Sequence, residues 1–326
     1  MKRCNVLLFF GVLMLSVSAV LTGCGGGGSS TSRSGGPDAT LTEVKAKDVV
    51  GDSVIQAVKL IAPATALGEV KASSVSPEKR SPLMSIFEKV APVVGKRATT
   101  EKQSSAISSE PCPGGGSIEV KSISGVDLSG NVKADVSVNG CKIGSETMNG
   151  TLKVTVPFTA VADIQHVKEF TIEVSSFTYS DSNTNLSLTD NFTMVADNIT
   201  YSGDSLTGGS LTLGGTVSGT LDGSPINIGC DSLAFQFSAN TAGVTVSVSG
   251  RMRATCLGGW ATLSTNRAVF VPAHASCPTD GEIVVSAGGN SIKVRVEPSS
   301  KITVFFNGSL VQTYDNCSKL TGFCKG

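Results

Sequence analysis

The stretch DSNTNLSLTD, residues 181–190, is where this sequence comes nearest to a metal site. Asp181, Asn183, Asn185 and Ser187 set side-chain oxygens at alternate positions, as a calcium loop does, because a hard cation needs several oxygens converging from one tight turn. The pattern then breaks. Leu186 stands where such a loop needs glycine, and Phe192 where it needs a bidentate acid, so the stretch reads as a polar hairpin turn. Zinc is no better supplied: His274 lies three residues before Cys277, but the other histidine is the distant His166 and no C-x-x-C occurs. Motifs of the G-x-S-x-G, H-E-x-x-H and G-x-x-x-x-G-K-[ST] kinds are missing as well. The glycine pairs Gly208-Gly209 and Gly214-Gly215 flank a strand-like SLTL and read as turn residues, not a phosphate cradle. The expectation is a chain without catalytic residues, metal or cofactor.

Covalent chemistry is better marked. Residues 1–23 carry Lys2 and Arg3, an apolar run from Val6 to Val20 and small residues at the end, the three parts of an export signal. The run is shorter than the roughly 20 apolar residues that span a bilayer. It closes on Leu21-Thr22-Gly23-Cys24, which resembles the lipobox of bacterial lipoproteins. That resemblance implies cleavage before Cys24 and acyl chains on its sulfur and amino group. Each chain contributes about 0.8 kcal/mol per buried CH₂, so two or three would hold the protein on a membrane permanently. Gly25 stands where inner-membrane lipoproteins often carry aspartate, so the resemblance implies an outer-membrane destination.

Seven further cysteines enter an oxidising compartment on this reading: Cys112, Cys141, Cys230, Cys256, Cys277, Cys317 and Cys324. Two stretches share the pattern C-P-x-x-G-x-I-x-V, PCPGGGSIEV from Pro111 and SCPTDGEIVV from Ser276, each a turn leading into alternating apolar residues. Each is followed by another cysteine after a polar turn, at Cys141 and Cys317, as in two copies of one stapled module. This suggests Cys112 with Cys141 and Cys277 with Cys317, leaving Cys230 to pair with Cys256 and Cys324 over; Cys317 with Cys324 competes, because spacing alone does not set connectivity. On these copies the mature region resembles the cysteine-paired, β-rich lipoproteins of Gram-negative envelopes, a likeness that carries no activity with it.

The rest of the chain must position these groups. Residues 24–40 are dominated by Gly and Ser and form a tether, since such a composition cannot bury enough apolar surface to fold. Residues 41–110 hold two helical patterns, 48–67 and 81–94, then a polar linker; Ser81 and Pro82 suit the start of the second, and Pro92 ends or kinks it. Across 111–326 the period changes to two. Val132, Ala134, Val136 and Val138 alternate with polar residues, as do runs beginning at Leu152, Phe170, Leu233, Val244, Ile292 and Ile302. Asn139-Gly140, Asn149-Gly150, Asp222-Gly223 and Asn307-Gly308 punctuate the runs as hairpin turns, and the apolar parity slips between Val174 and Phe177 as at a bulge. The fold class is mainly β: a large antiparallel sheet, as meander, sandwich or curved half-barrel, preceded by two short helices and built as one module or two.

Aromatic residues make up 5% of the chain, too few for the girdles of an outer-membrane barrel. Acidic and basic residues are equal at 26 each, with Lys2 and Arg3 in the signal, so no basic surface speaks for a nucleic-acid partner. The expected function is that of a non-enzymatic envelope lipoprotein, bound to the membrane through Cys24 and acting as a structural or binding module. Two alternatives remain: a carrier holding lipid or another apolar ligand in an open β groove, and a hydrolase of envelope polymers.

Overall fold

The computed structural model describes residues 36–46, 108–124, 130–157, 168–182, 185–202, 205–221, 224–254, 257–273 and 277–315, with Asp127 and Ala275. The expected helices 48–67 and 81–94 lie outside them; the described residues contain a single helical turn, 43–46. Fourteen strands follow: β1 (Ser108–Pro111), β2 (Ser117–Ile123), β3 (Asn131–Ile143), β4 (Glu146–Pro157), β5 (Phe170–Ser180), β6 (Asn185–Ser202), β7 (Ser205–Leu221), β8 (Ser224–Asn240), β9 (Gly243–Ala254), β10 (Gly259–Pro272), β11 (Asp280–Ala287), β12 (Asn290–Val296), β13 (Ile302–Phe306) and β14 (Ser309–Tyr314). Every strand pairs antiparallel with the next, so the chain is one meander in a single sheet. The sheet does not close, and β1 and β14 are its two edges.

Alternation is what selects this structure. In β3, Val132, Ala134, Val136 and Val138 are buried while Lys133, Asp135 and Asn139 face solvent. Each fully buried side chain of this size contributes about 1.5–3 kcal/mol, and a one-residue slip would turn the whole set outward. The same period in β4, β5, β11 and β12 extends one apolar face from Ile118 to Val304 as one continuous core, with Phe177, Phe192 and Met194 among its largest members.

Interruptions of the alternation are bulges, as expected between Val174 and Phe177, where the β5–β6 register shifts. Two expected turns are bulges as well. Asn139-Gly140 and Asn149-Gly150 lie inside β3 and β4, beside the register shift between Val138 and Cys141, and the reversal comes at Gly144-Ser145. Gly150 has φ 143°, and a Cβ there would sit 2.3 Å from the Ser176 carbonyl oxygen, so strand β5 approaches as closely as only glycine permits. Likewise Gly208-Gly209 and Gly214-Gly215 lie within the single long strand β7, beside its register irregularities, and are not turn residues. By contrast Asn307-Gly308 is a true hairpin turn, with φ of 48° and 84° as a type I′ turn requires.

Because the strands alternate in direction, the turns fall at two ends. The end carrying 112–116, 144–145, 288–289 and 307–308 is called the near end, because residues 36–46 reach the sheet there. The far end carries 241–242, 277–279 and 297–301.

Candidate functional site

Residues 36–46 form a strap across the near end, and the chain's only tryptophan fastens it. Across β8, β9 and β10 the register sets Gly229, Arg253 and Trp260 side by side on one row. Beyond Trp260 strand β11 has ended, and the strap takes its place: the Trp260 amide donates to the Pro37 carbonyl (3.0 Å) and the Ala39 amide to the Trp260 carbonyl (2.8 Å), a parallel bridge centred on Asp38. The row has a glycine where the indole lies; a Cβ on Gly229 would come within 3.1 Å of Trp260 Cη2, and one on Gly36 within 3.1 Å of its Nε1. Trp260 is only 8% exposed, yet it is not part of the continuous core. It is buried on the opposite face of the sheet by the strap and two arginines.

Those arginines supply the electrostatics. The guanidinium carbons of Arg251 and Arg253 stand 5.4 and 5.6 Å from the indole centroid, close enough for cation–π attraction of about 0.5–2 kcal/mol each in a partly desolvated setting. Arg251 also donates to Asp38 of the strap at 3.2 Å and lies 3.8 Å from Asp231. Further along, Lys45 Nζ donates to the Leu257 carbonyl and Asn290 Nδ2 to the Leu41 carbonyl. Ala39, Leu41 and Ala46 are buried in the continuous core. The strap thus begins beneath the indole on one face and passes over the near end into the apolar face.

Between strap and sheet lies a cleft of about 330 Å³, bordered by Asp38, Thr262, Ser286, Asn290 and Ser291. The register aligns Thr262, Ser286 and Ser291 across β10, β11 and β12, giving a row of hydroxyls about 5 Å apart, flanked by an amide and by the carboxylate that Arg251 neutralises. Such a lining offers several hydrogen-bond donors and acceptors. It suits a hydroxylated molecule better than an apolar one.

A second polar cluster covers β10–β13. Glu282 accepts from Asn266 (3.0 Å) and from Arg295 (2.9 Å), Arg267 pairs with Asp280 at 2.9 Å, and Lys293 and Arg295 both lie over the Phe305 ring. Partial burial pushes the Glu282 carboxyl up, but the hydrogen bonds from Asn266 and Arg295 and the charges of Lys293 and Arg295 outweigh it, leaving a net shift below the ordinary value. A depressed carboxyl stabilises the fold above the unfolded value of about 4.3 and loses that contribution as pH falls through its folded value. Glu282→Gln is therefore expected to flatten the loss of stability on acidification from about pH 5 downward, read as the urea midpoint against pH; an unchanged slope would show that the pairing is too solvated to matter.

The cysteines divide. Cys112 and Cys141 are disulfide-bonded, as their spacing suggested, joining the β1–β2 turn to the β3 bulge. Cys277 is also bridged, to a partner outside the described residues. Cys230 is free, which overturns its expected pairing with Cys256. The physical reason is its place: it lies in β8 between Gly215 and Met252 and faces the apolar core, 4% exposed, where burial pushes its thiol up to about 12 and keeps it protonated. Cys24, Cys256, Cys317, Cys324, His166 and His274 lie outside the described residues.

The calcium-like stretch is part of a hairpin: Asp181 follows β5, and 185–190 are already strand β6. Asp181 accepts a hydrogen bond from Tyr179 at 3.0 Å, and burial, then the Glu146 charge, raise the phenol above its ordinary value. Among the described residues no group of three or more His, Cys, Asp or Glu side chains converges as a metal site would require. What the sequence reading missed is the strap. A lone tryptophan beside Gly258-Gly259 was its one signal.

No family model, no curated protein and no solved structure matches the chain.

Proposed function

We propose that this protein is a non-enzymatic lipoprotein of the bacterial cell envelope, held on the outer membrane by acylated Cys24, with its sheet acting as a structural or binding module. The observation that carries this reading is Leu21-Thr22-Gly23-Cys24 closing an export signal. Three bridged cysteines, Cys112 and Cys141 with each other and Cys277, agree with it, since disulfides persist in oxidising compartments. Among the described residues, the hydroxyl-lined cleft at the strap offers this module a place for a polar ligand.

Intact-mass analysis of protein extracted from its native membrane tests the anchor. The expected mass begins at Cys24 and includes two or three acyl chains, and Cys24→Ser removes them and releases the protein from the membrane fraction. A wild-type chain without acyl mass overturns the proposal.

A further inference from the structure

We infer that the strap stands the sheet on end at the bilayer, with the near-end turns facing the lipid and the far-end turns 241–242, 277–279 and 297–301 facing away. This rests on the proposed acylation of Cys24 and adds to it a direction. Only residues 25–35 separate Cys24 from Gly36, where the strap begins against Trp260. Even fully extended, the chain between Cys24 and Gly36 reaches no more than about 43 Å. Strand β9 climbs from its near end at Ala254 to its far end at Gly243, eleven residues or about 36 Å. To lay the far end on the membrane, the connecting chain would have to run almost straight along the whole sheet.

The strap also removes the slack that a loose start of the domain would leave. Its backbone is bonded at Pro37 and Ala39, its side chains at Asp38 and Lys45, and its Leu41 carbonyl by Asn290, while Leu41 and Ala46 are seated in the core. The lever arm from the acyl chains therefore ends at Gly36, not at β1. At the same end the strap presents Val44, 73% exposed, an apolar side chain of the kind that rests at a lipid surface.

The test uses the full acylated chain in liposomes of phosphatidylethanolamine and phosphatidylglycerol, with an encoded, click-attached donor dye at position 43 or at position 241, both exposed, and an acceptor on the lipid headgroups. Transfer from position 43 is expected to exceed that from position 241 by ~3-fold or more, for a separation of ~36 Å along the strands. Ala39→Pro combined with Leu41→Asn and Asn290→Ala removes the bridge amide, the core anchor and the bond to the Leu41 carbonyl together, and is expected to bring the two signals closer; an unchanged ratio in a folded triple variant would overturn the role of the strap. Equal or inverted transfer in wild-type protein whose acyl mass is confirmed overturns the orientation and leaves the anchor standing. Absence of the acyl mass, with no transfer from either position, overturns both.

Discussion

Trp260→Ala is expected to lower the unfolding free energy by about 3–5 kcal/mol and to free the strap from the sheet. The indole is 8% exposed and fills the space between Gly229 and Gly36, two positions without side chains that cannot move in to occupy a cavity. Its removal also strips Arg251 and Arg253 of the aromatic face they share, leaving two like charges on one strand with only Asp38 and Asp231 to offset them. The backbone bonds of the Asp38 bridge survive in principle, but they belong to a strap held on one side only. Urea unfolding followed by near-ultraviolet signals measures the first effect, and hydrogen exchange at the Ala39 amide measures the second. Trp260→Phe should recover much of the stability and restore exchange protection. If Trp260→Ala costs less than about 1 kcal/mol while Ala39 stays protected, the backbone bridge and Leu41 hold the strap by themselves.

How much of this arrangement can be read from the chain depends on the range of the interaction that sets it. Strands β3, β4, β5, β8, β9, β12 and β13 announce themselves because one face is buried and the other solvated, which is a property of each segment alone. Strand β7 does not: its paired glycines look like punctuation, and only the partners at Phe192 and Ile199 make them bulges. The dipeptide Asn-Gly is ambiguous for the same reason. At Asn307-Gly308 it reverses the chain, whereas at Asn139-Gly140 it lies inside a strand, and the difference is decided by a neighbour that the local sequence does not name. Cysteine pairing follows this division. The Cys112–Cys141 bridge joins neighbouring elements and was legible from spacing. Cys230 does not pair as its spacing suggests, and Ile226, Ile228 and Cys230 alternate in sequence, a pattern that marks a core residue better than a bridging one. The strap was the least legible part, because its contacts with Trp260, Leu257 and Asn290 span more than two hundred residues.

Replacing both Cys112 and Cys141 by alanine is expected to cost about 3–4 kcal/mol, the loop-closure entropy returned to the unfolded chain by opening a loop of 29 residues. The native turn loses little by comparison, because backbone bonds already lay it on β3: the Gly114 amide donates to the Lys142 carbonyl, the Lys142 amide to Gly115, and the Cys112 amide to Gly116. The bridge thus acts at an edge of the sheet, where β1 has four residues and only β2 for a neighbour. Guanidinium unfolding of wild-type and double-variant protein, each with and without reductant, separates the bridges. Reductant should weaken wild type by more than it weakens the variant, whose remaining response belongs to the other bridges, that of Cys277 among them. A variant as stable as wild type would mean that the backbone bonds to Lys142 alone hold this edge. The expected result ties the edge of the sheet to the redox conditions: without the bridge, β1 keeps only its backbone bonds to β2 and the turn its bonds to Lys142.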